Sequence, residues 1–118
     1  MLEKIGVGID IIEINRFQDK PFETNNNFYK KIFYDSEIEY CLNQNNPYQS
    51  FATKFAIKES VIKSINKKIN FLDILTDHLN SKPIVQLLEN SSYNFLVSVS
   101  HEKSHAVAVV ISEIIDKA

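Results

Sequence analysis

Phe51–Ile65 reads FATKFAIKESVIKSI, and the rest of the chain is organised around it. The stretch holds no Gly or Pro and its apolar residues recur at helical spacing, which predicts an amphipathic helix. At about 100° per residue, Phe51, Phe55, Ile62 and Ile65 form one stripe that should face a core. A second arc carries Ala52, Ala56, Glu59 and Lys63, two small residues beside an i,i+4 carboxylate and ammonium. This arc reads as the wall of a cleft, or as an exposed ion pair on a solvated helix face. Lys58 projects close to the apolar stripe, so its stem runs along the core edge or its head is held by an anion or carboxylate. Lys54 lies one turn earlier, and Lys54, Lys58 and Lys63 can together face a negatively charged ligand.

The 118 residues predict one domain, 1–118, with ordinary globular proportions of 44% hydrophobic and 24% charged residues. A net charge of −2 argues against a general nucleic-acid binder while leaving room for a local basic patch. The N-terminus lacks the pattern of a signal peptide, and no apolar run approaches the ~20 residues of a membrane span. No membrane association is expected, and a cytoplasmic location is. Cys41 is the single cysteine, so no internal disulfide is possible, and its helical setting marks it as a core residue.

Upstream, Lys4–Ile14 alternates as a strand, with Ile5, Val7, Ile9 and Ile11 on one face and Gly6, Gly8 and Asp10 on the other. Both glycines of the protein thus flank a carboxylate and open space beside it. The competing reading makes Asp10 a helix N-cap, with Glu13 completing a capping box. The Gly-x-Gly lacks the third glycine and the following βαβ unit of a dinucleotide site. Residues 15–46 read as helical pieces, with Ser36 and Glu39 as a capping box opening Glu37–Leu42, and Asn43–Ser50 reads as a loop.

Downstream, Phe71–Thr76 and Ile84–Leu88 read as strands joined across residues 80–83, and a polar turn follows at 90–94. Phe95–Ser100 and Ala106–Ser112 should pair as a hairpin around His101-Glu102-Lys103-Ser104-His105. The fold class is therefore α+β, with helices packed on a small antiparallel sheet. The HEKSH pentapeptide matches the zinc-peptidase pattern in letters only, because that chemistry needs both His on one helical face and here strands flank them. His101 either closes a strand as an ordinary polar residue or faces a site, where it offers an anion a hydrogen bond.

Three segments, GVGIDIIEINRF, FATKFAIKESVIK and VSVSHEKSHAVAVV, together resemble the holo-[acyl-carrier-protein] synthase family of 4′-phosphopantetheinyl transferases. The matching motif residues are Gly8-Ile9-Asp10, then Phe51-Ala52 and Lys58-Glu59-Ser60 with Lys63, and NFYKKIFYDSEIEYC resembles the stretch between. The resemblance implies that fold and a transfer of phosphopantetheine from coenzyme A to a serine of apo acyl carrier protein, in support of fatty acid biosynthesis. Adenosine 3′,5′-bisphosphate is the product that leaves. It implies Mg²⁺ held by Asp10 and Glu59 with phosphate oxygens and water, an arrangement that suits a hard ion taking few protein ligands. Lys63 is implied to stabilise the leaving phosphate, Lys54 and Lys58 to contact phosphates, His101 to contact the 3′-phosphate from its strand end, and Arg16 to hold the carrier protein, with Lys20, Lys30 and Lys31 extending its patch. Glu59 or a metal-bound water is the general base. A homotrimer with sites between subunits is also implied. The chain departs from the family pattern at Asn66-Lys67-Lys68 and Ser81-Lys82-Pro83, where relatives often carry glycines, which bears on the nucleotide end of coenzyme A. A non-catalytic module that binds carrier protein or nucleotide is the rival reading.

Overall fold

A computed structural model describes residues 2–89 and 92–115. Asn46 and Pro47 start the central helix earlier than its apolar periodicity does. The Asn46 Oδ1 accepts from the Gln49 N–H at 3.3 Å, and Pro47 occupies the first turn, where its missing N–H costs nothing. Helix α4 consequently spans Pro47–Ser64, and half of the expected loop 43–50 is helical. Before it come strand β1 (Ile5–Glu13) and the short helices α1 (Asn15–Gln18), α2 (Asn26–Lys30) and α3 (Asp35–Leu42). After it come β2 (Ile74–Leu79), β3 (Lys82–Leu87), β4 (Tyr93–His101) and β5 (His105–Ile114). The α+β expectation holds.

The late strands pair as two antiparallel units: β2 with β3, and β4 with β5, the latter extended by β1 into the order β1-β5-β4. The β2–β3 turn puts Asn80 and Ser81 at φ 52° and 69°, the left-handed conformations that a two-residue hairpin requires. Strand β2 begins later than expected because the Asp73 carboxylate accepts from the Asn70 N–H at 2.8 Å and closes a 3-10 turn over Phe71–Asp73. Residues 90 and 91 of the polar turn expected at 90–94 lie outside the described residues.

Helix α4 rests on one face of the three-stranded sheet. The Ser60 hydroxyl donates to the Ala108 carbonyl at 3.1 Å, and the Ser112 hydroxyl donates to the Ser64 carbonyl at 2.8 Å. The glycines of β1 make this approach possible. A Cβ on Gly6 would stand 1.7 Å from the Ser64 carbonyl oxygen, and one on Gly8 would stand 1.8 Å from that of Ser60. The space opened beside Asp10 is therefore filled by helix backbone. Since the glycine side of β1 faces inward, its apolar side faces out: Val7, Ile9 and Ile11 are 60%, 61% and 62% exposed. Asp10 lies within the strand, paired opposite Ala108, and α1 begins only at Asn15, so the helix-cap reading of Asp10 does not apply.

On its other flanks α4 buries Phe51, Ala52, Phe55, Ala56 and Val61 among Phe17, Tyr29, Phe33 and Ile38. The aromatic members meet at stacked, tilted and edge-on angles, with the Tyr29 and Phe51 ring centroids 4.6 Å apart. Cys41 is buried there and its thiol pKa is pushed up to about 12 by burial, which leaves it an inert core residue.

Candidate active site

The close contact of β1 and α4 brings together residues more than forty positions apart in sequence. Lys63 donates to the Asp10 Oδ1 and to the Ile9 carbonyl, both at 3.0 Å. The Asp10 Oδ2 is buried and has no hydrogen-bond partner among the described residues. A buried carboxylate oxygen normally carries one, because leaving it bare forfeits its solvation. Glu59 sits one helical turn before Lys63 on the same arc. Burial and, next, the negative charge of Asp10 push its pKa above the ordinary carboxylate range, while Lys63 and Arg16 pull against that shift. The two negative charges thus oppose each other, with Lys63 bound to one of them and the Lys63 and Arg16 charges favouring the ionised form of the other. Such a cluster favours an added cation. Among the described residues no group of three or more His, Cys, Asp or Glu forms a metal cage. The protein offers two carboxylates, which suits a hard ion that keeps several waters.

Arg16, at the start of α1, places its guanidinium 5.0 Å from the Phe55 ring centroid. Arg16, Lys31, Phe28, Phe55, Phe71 and Glu59 line a cavity of about 320 Å³. Lys20 lies 5.1 Å from the Phe28 ring centroid on the same flank. Lys30 instead lines a separate groove of about 460 Å³ with Phe33, Leu72 and Leu75, away from the carboxylates.

The three lysines of α4 do not converge. Lys58 is fully buried and donates to the Glu37 Oε1 at 2.8 Å, the Ile32 carbonyl at 2.8 Å and the Phe71 carbonyl at 3.2 Å. An ammonium has three protons, and all are taken by protein acceptors. The expectation that Lys58 contacts a ligand phosphate is corrected accordingly: it ties α4 to α3 and to the turns before α3 and β2. Lys54 is 4% exposed and donates to the Thr76 hydroxyl at 2.9 Å, with the Tyr40 ring centroid 4.7 Å from its Nζ. Burial lowers its pKa, opposed chiefly by Cys41 and Glu37.

Lys54 and His101 line one cavity, of about 250 Å³, together with Asp77, His78, Ser81 and Pro83. His101 ends β4 on the sheet face that carries α4, two residues beyond Val99, which lines the same cavity. None of Asp10, Glu59 or Lys63 reaches this cavity. The Lys54–His101 cavity and the carboxylate cluster thus occupy different places on one subunit. The HEKSH segment is a turn in which the Glu102 carboxylate accepts from the Ser104 N–H at 2.8 Å and meets the His105 Nδ1 at 3.0 Å. His101 lies in the preceding strand, so the pentapeptide forms no helix and the peptidase reading lacks its scaffold.

Glu37 and Thr76 escaped the sequence reading. Glu37 accepts from the Tyr34 N–H at 2.7 Å and so caps α3, two residues ahead of the expected Ser36–Glu39 box. A carboxylate three residues after a helix start was the available signal, assigned to the wrong pair. Nothing in the local sequence marks Thr76.

The family profile described as the 4′-phosphopantetheinyl transferase superfamily matches residues 6–110. A holo-[acyl-carrier-protein] synthase of Chlamydia trachomatis serovar L2 is 40% identical over 118 residues, covering 92% of this chain and 98% of its own. One from Chloroherpeton thalassium is 39% identical over 117 residues, covering 91% and 96%. The crystal structure of Helicobacter pylori holo-[acyl-carrier-protein] synthase in complex with coenzyme A superposes with a TM-score of 0.78 at 28% identity, covering 91% of this chain and 99% of that one.

Proposed function

This chain belongs to the 4′-phosphopantetheinyl transferase superfamily, and we propose that its residues 1–118 act as a single-domain holo-[acyl-carrier-protein] synthase. The reaction moves 4′-phosphopantetheine from coenzyme A to a serine hydroxyl of apo acyl carrier protein. The serine oxygen forms a bond to the β-phosphorus, the bridging bond to the nucleotide breaks, and adenosine 3′,5′-bisphosphate departs. The holo carrier protein then serves fatty acid biosynthesis.

The observation that carries this reading is the buried, unpartnered Asp10 Oδ2 beside the raised-pKa Glu59. These residues fit a divalent magnesium ion, and Asp10 and Glu59 would hold it. When bound, Mg²⁺ neutralises phosphate charge and orients the transferring group. The protein's own residues do the rest by placing charge where it is needed. Lys63, now on the Asp10 Oδ1 and half exposed, would stabilise negative charge on the departing bisphosphate. Glu59, beside the transferring group, would accept the serine proton.

Lys54 and His101 would receive the 3′-phosphate in their shared cavity. The exposed Val7, Ile9, Ile11 and Leu96 side of the sheet supports a homotrimer, in which the Lys54–His101 cavity of one subunit completes the carboxylate cluster of the next. Arg16 and Lys31 in the Phe28–Phe55–Phe71 cavity supply cation and apolar surface for an acidic carrier protein. The same reading places the enzyme in the cytoplasm. Among the described residues, no helix is long and apolar enough to cross a membrane.

The test is the intact mass of apo acyl carrier protein after incubation with this protein, coenzyme A and Mg²⁺. A gain of one phosphopantetheine is expected, lost in Asp10→Ala, in Glu59→Ala and with chelator. Coenzyme A binding without any gain on several carrier proteins would instead favour a non-catalytic binding module.

A further inference from the structure

Lys54 presents an unusual arrangement. The residue is 4% exposed, yet among the described residues no carboxylate stands within ion-pair distance of its ammonium. Buried ammonium groups are normally paired with an anion. Its hydrogen-bond acceptor is a neutral hydroxyl, Thr76 Oγ1 at 2.9 Å. That hydroxyl has a single proton, which it donates to the Glu37 Oε2 at 2.6 Å, so its lone pairs are left for Lys54.

The rest of the chain leaves this polarity no freedom. The Thr76 N–H also donates to the Glu37 Oε2, at 2.9 Å, and the other Glu37 oxygen accepts from Lys58 at 2.8 Å and from the Tyr34 N–H at 2.7 Å. Glu37 therefore has four donors from three residues, and its charge is matched by Lys58. Thr76 belongs to β2, in the hairpin whose residues Ser81 and Pro83 line the cavity that Lys54 and His101 share. A carboxylate in place of the hydroxyl would neutralise Lys54 and compete with an incoming anion. A hydroxyl locked by Glu37 holds the ammonium in place and leaves its charge available to the cavity.

We propose that Thr76, oriented by Glu37, is a positioning residue that fixes Lys54 toward the cavity and thereby sets the enzyme's preference for a nucleotide bearing a 3′-phosphate. This rests on the reading that the Lys54–His101 cavity takes that phosphate. The experiment is steady-state transfer with coenzyme A and with 3′-dephospho-coenzyme A, for the wild type, Thr76→Val, Thr76→Ala, Thr76→Ser and Lys54→Met. Both hydroxyl deletions should raise the KM for coenzyme A about tenfold, change kcat much less, and leave the KM for the dephospho substrate within about twofold. Thr76→Ser, which restores a hydroxyl, should recover most of the preference, and Lys54→Met should abolish it. Equal losses on both substrates in the Thr76 variants would mark a merely structural role and overturn the proposal. Preference retained by Thr76→Val and Thr76→Ala but lost in Lys54→Met would overturn the positioning while leaving the phosphate reading intact. Preference retained in Lys54→Met as well would refute the phosphate reading, and the proposal with it.

Discussion

Replacing Lys58 by Met tests whether this motif lysine belongs to the core or to the ligand. Lys58 and Glu37 are both 0% exposed at a separation of 2.8 Å. Deleting the cation leaves the Glu37 carboxylate buried without a counter-charge, which costs about 3–5 kcal/mol. For a domain of 118 residues, about 4 °C of melting temperature is lost per kcal/mol, so the variant should melt about 12–20 °C lower. Against a typical total of about 5–15 kcal/mol, that is a large share of the protein's stability. Adding Glu37→Gln removes the stranded charge, and the double variant should be less destabilised than the sum of the two single losses by at least about 1 kcal/mol. The readouts are urea denaturation without ligand, and calorimetric titration with coenzyme A at a temperature where each variant is folded. The Kd of folded Lys58→Met should stay within about threefold of wild type. A variant that keeps its stability within about 1 kcal/mol yet binds coenzyme A more than tenfold less tightly would refute this assignment and return Lys58 to the phosphate contacts.

Two further perturbations address the contact between β1 and α4. Gly8→Ala puts a Cβ 1.8 Å from the Ser60 carbonyl, so strand and helix must part by about 1.2 Å to reach even the tightest tolerable contact. A loss of about 1–3 kcal/mol is expected by urea denaturation, with transfer activity down about 100-fold because Asp10 moves away from Glu59 and Lys63; wild-type turnover in this variant would show that the approach is unimportant. Glu59→Gln should abolish transfer while raising the melting temperature of the metal-free protein at neutral pH. Because burial and Asp10 raise the pKa of Glu59, its favourable contribution is complete below the ordinary carboxylate range and is lost as pH rises through the raised value. The advantage of the Gln variant should therefore fade on acidification, and an advantage that grows instead would contradict the sign of the shift.

Much of the architecture was legible because periodicity reports burial. The alternation of β1 and of the β4–β5 hairpin buries one side, and their residues show it, whereas α4 is packed nearly all round and leaves only Lys63 exposed, where its sequence predicts a single buried stripe. The carboxylate cluster was legible for a related reason: Gly6 and Gly8 removed the side chains that would keep a helix backbone away from Asp10. What the alternation alone left open was which face of β1 is inside. The apolar face is the exposed one, because α4 backbone fits only over glycine, and that choice depends on residues some fifty positions downstream.

The lysines of α4 show where sequence reading reaches its limit. Lys54 and Lys58 are one turn apart, carry the same side chain and are both buried, yet they serve opposite ends. Lys58 meets a carboxylate and two carbonyls, so its charge is neutralised and its donors are used up. Lys54 meets a hydroxyl whose proton is directed elsewhere, so its charge remains available to the cavity. One residue, Glu37, decides both outcomes: one oxygen neutralises Lys58, and the other orients the hydroxyl that leaves Lys54 charged. Neither Glu37 nor Thr76 lies within a helical turn of the lysines in sequence, so no window centred on the motif contains the information. A motif lysine thus acquires its role from the acceptors that tertiary structure brings to it, and those acceptors are where a change of function could occur without altering the motif at all.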